Sequence, residues 1–97
     1  MTDALPLSLD EATRISEMAF LPLRAITQRD LDDASYSLRV ENASDEVVLS
    51  IAHVARSQYA DAAQLAALLD KARLELSKDG HTLAPWSMPY QPGVAGS

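Results

Sequence analysis

The sequence has no cysteine and no long apolar run, and these two absences exclude several classes of protein. Without cysteine the chain forms no disulfide, no thiolate zinc site and no cysteine nucleophile. No apolar stretch approaches the roughly 20 residues that a membrane-spanning helix needs. Residues 1–4 also lack the basic start of a secretory signal. We therefore expect a cytoplasmic protein.

Basic side chains are scarce as well, because eight lysines and arginines face 14 acidic residues and leave a net charge of −6. Proteins that bind nucleic acids neutralise phosphates with clustered basic side chains, and binding to an anionic membrane uses the same attraction. Here the basic residues are scattered along the chain. The sequence therefore predicts neither a nucleic-acid partner nor a membrane partner.

Glycine and proline are concentrated near the C-terminal end. Three of the five prolines and two of the three glycines fall within residues 85–97. The rest of the chain has the mixture of apolar and charged residues typical of a globular protein. We predict one domain over residues 1–84, followed by a Pro/Gly-rich tail over 85–97.

The clearest pattern that is present is an alternation of apolar and polar residues over 35–41. Tyr36, Leu38 and Val40 are separated by polar side chains, and a period of two predicts a β-strand with one buried face. Turn-forming residues fill positions 42–46. The strand is therefore expected to lead into a hairpin.

The next segment, 47–54, has two interpretations. As a strand it lines one face with Val47, Leu49 and Ile51, whereas as a helix it would line one face with Val47, Ile51 and Val54. The adjacent valines and the turn just before them favour the strand. We predict that it pairs antiparallel with the preceding strand.

A capping pair predicts where the first helix begins. Ser8 is followed three residues later by Glu11, the spacing at which each side chain bonds the other residue's backbone amide. Pro22 cannot continue a helix, so we predict a helix over 8–20. Its apolar face is predicted to comprise Ala12, Ile15, Met18 and Ala19.

The last helix is predicted over 61–78. Asp61 can cap its first turn, and Gly80 is placed to end it in the left-handed conformation. The apolar residues recur every third or fourth position, as one helical face requires. These residues are Leu65, Leu68, Leu69, Ala72 and Leu76.

The order of these elements predicts an α+β fold. A short strand is expected over 23–27, with 28–34 as a loop, so the order is α-β-β-β-α. We predict a three-stranded antiparallel meander with an N-terminal helix and a long C-terminal helix packed on the sheet. If the long helix covers one face, the other face needs the N-terminal helix or a second sheet, which makes a homodimer plausible.

A candidate ligand site lies in the strand-to-helix connection 53–59. Free amides at the start of a helix attract anions, although Asp61 competes for those amides. The candidate ligand-binding residues are His53, Arg56, Ser57 and Tyr59. Packing of Tyr59 under the helix, with Arg56 solvated or paired with an acid, is the structural alternative. No catalytic residue is assigned, because nothing in the sequence orients His53 as a base and there is no Gly-x-Ser-x-Gly motif.

The histidines and acidic groups do not predict a metal site. His53 and His81 lack a third ligand at a recognisable spacing. The aspartates of 30–33 lack the glycine and the distal glutamate of a calcium loop, and the acids of 41–46 belong to the turn at the opposite end of the sheet. We expect these acids to be solvated, and we expect no metal and no cofactor.

A second apolar face on the last helix is the candidate interaction surface. Ala63, Ala67 and Leu74 lie away from the main stripe. The tail offers further apolar side chains, namely Trp86, Met88 and Tyr90. The tail folds back onto this chain or docks on a partner. We favour a non-enzymatic protein-interaction or assembly module, with a protein partner or self-association. The alternative is a small-molecule or anion-binding protein with its site at 53–59.

Overall fold

The computed structural model describes residues 6–88 and confirms the α+β fold and the order of its predicted elements. The elements are α1 (Leu9–Met18), β1 (Arg24–Asp30), β2 (Ser35–Glu41), β3 (Val47–Val54), α2 (Arg56–Tyr59) and α3 (Ala62–Lys78). The short helix α2 was not predicted. It begins after Ala55, whose backbone amide donates to the side-chain oxygen of Gln58. Within residues 6–88, no helix is long and apolar enough to cross a membrane.

Both long helices begin as their sequences predict. The Ser8 hydroxyl accepts from the Glu11 amide at 3.1 Å, and the Glu11 carboxylate accepts from the Ser8 amide at 3.0 Å. Asp61 caps α3 by accepting from the amide of Ala63 at 2.9 Å. At the other end of α3, Gly80 has a φ of +95°, a conformation that glycine adopts without steric cost. Local capping chemistry therefore defines both ends of α3.

The three strands form one antiparallel sheet in the order β1-β2-β3, with β2 in the centre. Leu38 of β2 lies opposite Thr27 of β1 and Ile51 of β3. The pairing of β2 with β3 is irregular at both ends and regular over the part opposite residues 38–40. The strand interpretation of 47–54 is thereby confirmed. The predicted face is wrong at Val47, because a register shift places Val47 opposite Glu41 while Leu49 and Ile51 lie opposite the buried Val40 and Leu38.

The prediction that residues 28–34 form a loop is wrong for the first three of them. Gln28, Arg29 and Asp30 continue β1 and pair with the first residues of β2. Polar residues are weak strand formers on their own, and here pairing with a buried strand overrides that preference. Arg29 also forms an ion pair with Asp10 of α1, with Nη1 and Oδ1 2.5 Å apart.

The core lies on one face of the sheet. Tyr36, Leu38 and Val40 of β2 are buried, and they belong to the same cluster as Leu65 and Leu69 of α3. The other face is open at its middle, where the opposed residues Arg39 and Ser50 are both exposed. Helical cover is therefore concentrated on one side of the sheet.

The predicted apolar face of α1 is wrong at one position. Met18 is 57% exposed, while Thr13 and Ser16 are buried. The helix ends at Met18, and Phe20 just beyond it occupies the core instead. The hydroxyl of Ser16 is satisfied there by the hydroxyl of Tyr36 at 2.6 Å, so its burial leaves no polar group unpaired.

Candidate functional site

The turn between β1 and β2 brings a carboxylate to His53. The His53 Nε2 and the Asp33 Oδ2 lie 3.3 Å apart, and both side chains are 55% exposed. Asp33 also accepts a 2.6 Å hydrogen bond from the hydroxyl of Ser35. The bond from Ser35, followed by that from His53, lowers the pKa of Asp33 below its ordinary value.

No residue was expected from the sequence to orient His53, so the position of Asp33 is a finding of the structure. A signal for it was present, because in a three-stranded meander the first turn and the end of the last strand share one end of the sheet. The hydroxyl of Ser35 faces Asp33 and not His53. The three residues are therefore not arranged as a nucleophile, a base and an orienting acid.

Tyr59 is buried and its polar group is already bonded. Its hydroxyl donates to the carbonyl oxygen of Ala34 at 2.6 Å, and its ring lies 5.7 Å from that of Tyr36. Burial raises the pKa of both tyrosines. Ala34 has a φ of +55°, which an alanine seldom adopts. Tyr59 therefore ties α2 to a strained turn.

The other two residues of the predicted ligand site face outward. Arg56 and Ser57 are exposed in the first turn of α2. The four residues therefore do not share one environment. His53 contacts a carboxylate, Tyr59 is bonded to a backbone carbonyl, and Arg56 and Ser57 face solvent. Within the part of the chain that the structure describes, no group of three or more metal-ligating side chains is placed to hold an ion.

The acidic residues of 41–46 lie at the opposite end of the sheet from Asp33, as predicted, and two of them belong to an ion-pair cluster. Glu41 accepts from Arg24 and from Arg39, each at 3.1 Å. Arg24 also reaches Asp45 at 2.5 Å. The expectation that these acids are merely solvated is thus too simple, because Glu41 and Asp45 form ion pairs with Arg24 of β1, and Glu41 also pairs with Arg39 of its own strand.

The predicted surface on the back of α3 is exposed. Ala63 and Ala67 face solvent, and Leu74 is 56% exposed. Charged residues lie on the same side, since Asp70 and Lys78 fall at the same helical spacing. The apolar content of this surface is therefore one leucine and two small residues.

The first part of the tail packs on its own chain. Arg73 of α3 donates to the carbonyl oxygens of Ala19 at 2.5 Å and of Ala84 at 2.9 Å. Its guanidinium lies 5.9 Å from the ring centre of Trp86, which is half-buried against the core, and Met88 is buried. Tyr90, the third tail residue of the predicted surface, lies outside the described residues.

The two edges of the sheet differ in their chemistry. On β1, Thr27 donates to Glu17 of α1 at 2.6 Å, and Arg29 is paired with Asp10. The side of β3 that faces away from β2, which we call the β3 edge, belongs to a strand with no lysine, arginine, aspartate or glutamate over its eight residues. Val47 there is 52% exposed. This strand was predicted from the sequence but its edge was not, although the meander order places the last strand outermost.

One family model matches the chain. It is described as a protein of unknown function, DUF1652, and it covers residues 10–76. This range runs from the first turn of α1 to the last turns of α3 and includes the whole sheet. No curated protein and no solved structure gives a significant match.

Proposed function

The chain belongs to the DUF1652 family, whose description assigns no function, and we propose that it is a non-enzymatic protein-interaction or assembly module. The observation that carries the proposal is the β3 edge. Six of the eight residues of its strand are apolar, and none is lysine, arginine, aspartate or glutamate; Val47 is half exposed. An outer strand presents a row of unpaired backbone N–H and C=O groups, to which another strand can add.

The comparison with β1 indicates which edge binds. Charged side chains on an edge strand are a common protection against unwanted pairing, and β1 carries Arg24, Arg29 and Asp30. Both arginines already form ion pairs within the chain. The β3 edge lacks this protection, so it is the side at which a partner strand would be added.

The back of α3 contributes less to the proposal. Ala63, Ala67 and Leu74 remain candidates for a secondary contact, but charged residues lie among them. Met88 is buried in the chain's own core and Trp86 packs against it. These two side chains support a folded-back tail in preference to docking on a partner.

The alternative function is binding of a small molecule or anion at 53–59. Its support is the exposure of His53, Arg56 and Ser57. The Asp33 carboxylate beside His53 repels an anion, and the Tyr59 hydroxyl is bonded to Ala34. A melting scan with inorganic phosphate tests it: a rise in Tm that disappears in Arg56→Ala would favour this alternative, since a ligand at 100 times its Kd stabilises by about 2.7 kcal/mol.

The interaction proposal is tested with one charge placed on each edge. Ser50 of β3 and Gln28 of β1 are both exposed, so Ser50→Glu and Gln28→Glu form a matched pair. We expect Ser50→Glu to lose binding at the β3 edge, because a charged side chain on an outer strand is a common protection against the addition of another strand. Gln28→Glu should behave as the unaltered chain does.

Two readouts are compared for the full chain and both variants. The first is solution mass by light scattering over a range of concentrations. The second is the amount of protein from an extract of the source cells that the immobilised chain or variant retains. Equal melting temperatures establish that the variants fold. The proposal is overturned if Ser50→Glu matches the unaltered chain in both readouts.

A further inference from the structure

We infer that the partner at the β3 edge is a second copy of this chain. In this arrangement two β3 strands pair antiparallel around a two-fold axis at Ser50, and the two three-stranded sheets become one sheet of six strands. The inference depends on the proposed function, since it names the partner for the same edge. It is drawn from the register, the side-chain chemistry and the charge of β3.

The sequence of β3 is complementary to itself when the axis lies at Ser50. Leu49 then faces the partner's Ile51, and Val48 faces the partner's Ala52. Ser50 faces the partner's Ser50. Residues directly opposite in an antiparallel pair interact on the same face of the sheet, so this register places apolar beside apolar at every position of 48–52 except the centre.

The position of Ser50 within the sheet supports the same axis. The pairing of β3 with β2 is irregular near both ends, and Leu49 to Ile51 form the regular part between the irregularities. Ser50 is the middle of that part and faces Arg39 on the open side. A second strand therefore meets the regularly paired portion of β3 at its centre.

A second copy would also cover incompletely buried side chains. Leu49 and Ile51 lie opposite Val40 and Leu38, on the face that bears the core. Val40 and Leu38 in the central strand are fully buried, whereas Leu49 and Ile51 are only half-buried. Pairing Leu49 with the partner's Ile51 extends the buried face across the axis and removes apolar surface from water.

Charge favours a copy of this chain over a charged strand. The chain carries a net charge of −6, yet β3 holds no acidic or basic residue apart from the titratable His53. Two copies therefore meet along this edge without opposed like charges. A charged partner strand would find no complementary charge on β3.

The dimer is expected to be weak and dependent on concentration. An eight-residue strand is about 27 Å long, and one strand edge falls short of the roughly 800 Å² per partner that stable interfaces bury. We therefore expect a Kd in the micromolar range or above. Measurements of mass must extend to high protein concentration.

The absence of cysteine provides a direct test of the register. Opposed residues in an antiparallel pair have Cα atoms about 4.5–5.5 Å apart, a separation that a disulfide spans. We expect Ser50→Cys to form a covalent dimer under mild oxidation, at least about ten times faster than Gln28→Cys at the same concentration. Both positions are exposed, so accessibility is matched.

A charge exchange tests the symmetry without a covalent bond. Ser50→Glu and Ser50→Lys each place like charges opposite one another across the axis. Ser50→Lys should weaken self-association by about fivefold, and Ser50→Glu should weaken it less, because Arg39 lies opposite residue 50 in the same chain and offsets part of the repulsion. Mixing the two variants should restore association as a heterodimer. Circular dichroism melting of each variant alone confirms that the monomer is folded.

The outcomes separate this inference from the proposed function. If Ser50→Cys crosslinks no faster than Gln28→Cys and the mixed variants do not associate, the second copy is excluded. If Ser50→Glu no longer captures a protein from the cell extract that Gln28→Glu does capture, the β3 edge binds a different partner and the proposed function stands. If no such loss occurs either, both proposals are overturned.

Discussion

The two edges of the sheet pair with the same central strand but are connected to the rest of the molecule by different interactions. The β1 edge is held to α1 by polar contacts, from Thr27 to Glu17 and from Arg29 to Asp10. The β3 edge bears uncharged side chains, and Leu49 and Ile51 are only half-buried. One edge is thus protected by charges of its own chain, and the other is suited to strand addition.

Whether another strand can add to an edge depends on the side chains of that edge strand and not on its outer position alone. Among residues 6–88, each outer strand pairs with another strand on one side only, and the other side of an outer strand offers its backbone groups to a further strand. What distinguishes them is the cost of desolvating side chains when another strand approaches, which is high for Arg24 or Asp30 and low for Leu49. Both outer strands depend on the central strand β2, with which each of them pairs.

The largest effect is expected at Leu38, which lies opposite Thr27 on one side and Ile51 on the other. Leu38 is fully buried, so Leu38→Ala should lower the free energy of unfolding by about 2–5 kcal/mol. Urea unfolding measures this change. The matched control is Leu74→Ala at an exposed position, expected to change stability by less than about 0.5 kcal/mol. Equal effects at the two leucines would contradict the assignment of the core.

A smaller effect is expected at Tyr59, which anchors the chain just after β3. Tyr59→Phe removes the hydrogen bond to the Ala34 carbonyl and should cost about 1–2 kcal/mol. The comparison variant is Tyr36→Phe, which removes the hydrogen bond between the hydroxyls of Tyr36 and Ser16. It leaves the Ser16 hydroxyl unpaired, whereas Tyr59→Phe leaves a backbone carbonyl unpaired. If Tyr59→Phe costs nothing, the bond to Ala34 does not hold the turn.

The same variant has a consequence for alkaline stability. Burial raises the pKa of Tyr59 above its ordinary value near 10, so the folded protein retains a proton that the unfolded chain releases. The stabilisation of the folded state that comes from this raised pKa is complete below about pH 10 and is lost as the pH rises through the folded-state pKa. Stability should therefore fall above about pH 10, and less steeply in Tyr59→Phe. An equal slope in both proteins would exclude this contribution.

Much of the fold could be predicted because its signals are local. Capping by Ser8 and Asp61 and the left-handed Gly80 depend on neighbouring residues alone. The alternation in β2 reports a strand with one buried face, and that strand is central. The extension of β1 through Asp30 was not predictable from its own residues, because it depends on pairing across the sheet.

The candidate site was less predictable, since it depends on contacts between distant parts of the chain. Asp33 and His53 are 20 residues apart, and so are Ser16 and Tyr36. From the sequence, Asp33 was expected to be solvated and Tyr36 to lie on a buried strand face, and only the topology brings each of these residues to its partner. The β3 edge was overlooked for a related reason: the strand was predicted from its sequence, whereas its exposure follows from the order of the strands.

The smallest effect is expected from the charges that protect β1. Arg29→Gln keeps a polar but shorter side chain and removes the ion pair with Asp10; the side chains of Arg29 and Asp10 are 49% and 66% exposed. The expected cost is below about 1 kcal/mol, and it should vanish in 1 M NaCl, where the screening length is about 3 Å. Ile51→Val on β3 provides the contrast, because its cost comes from lost apolar contact and should not decrease with salt. Chemical unfolding by urea at low and high salt measures both costs. If the two variants respond to salt alike, the edges do not differ in the way that their side chains indicate, and the choice of β3 as the binding edge loses its physical basis.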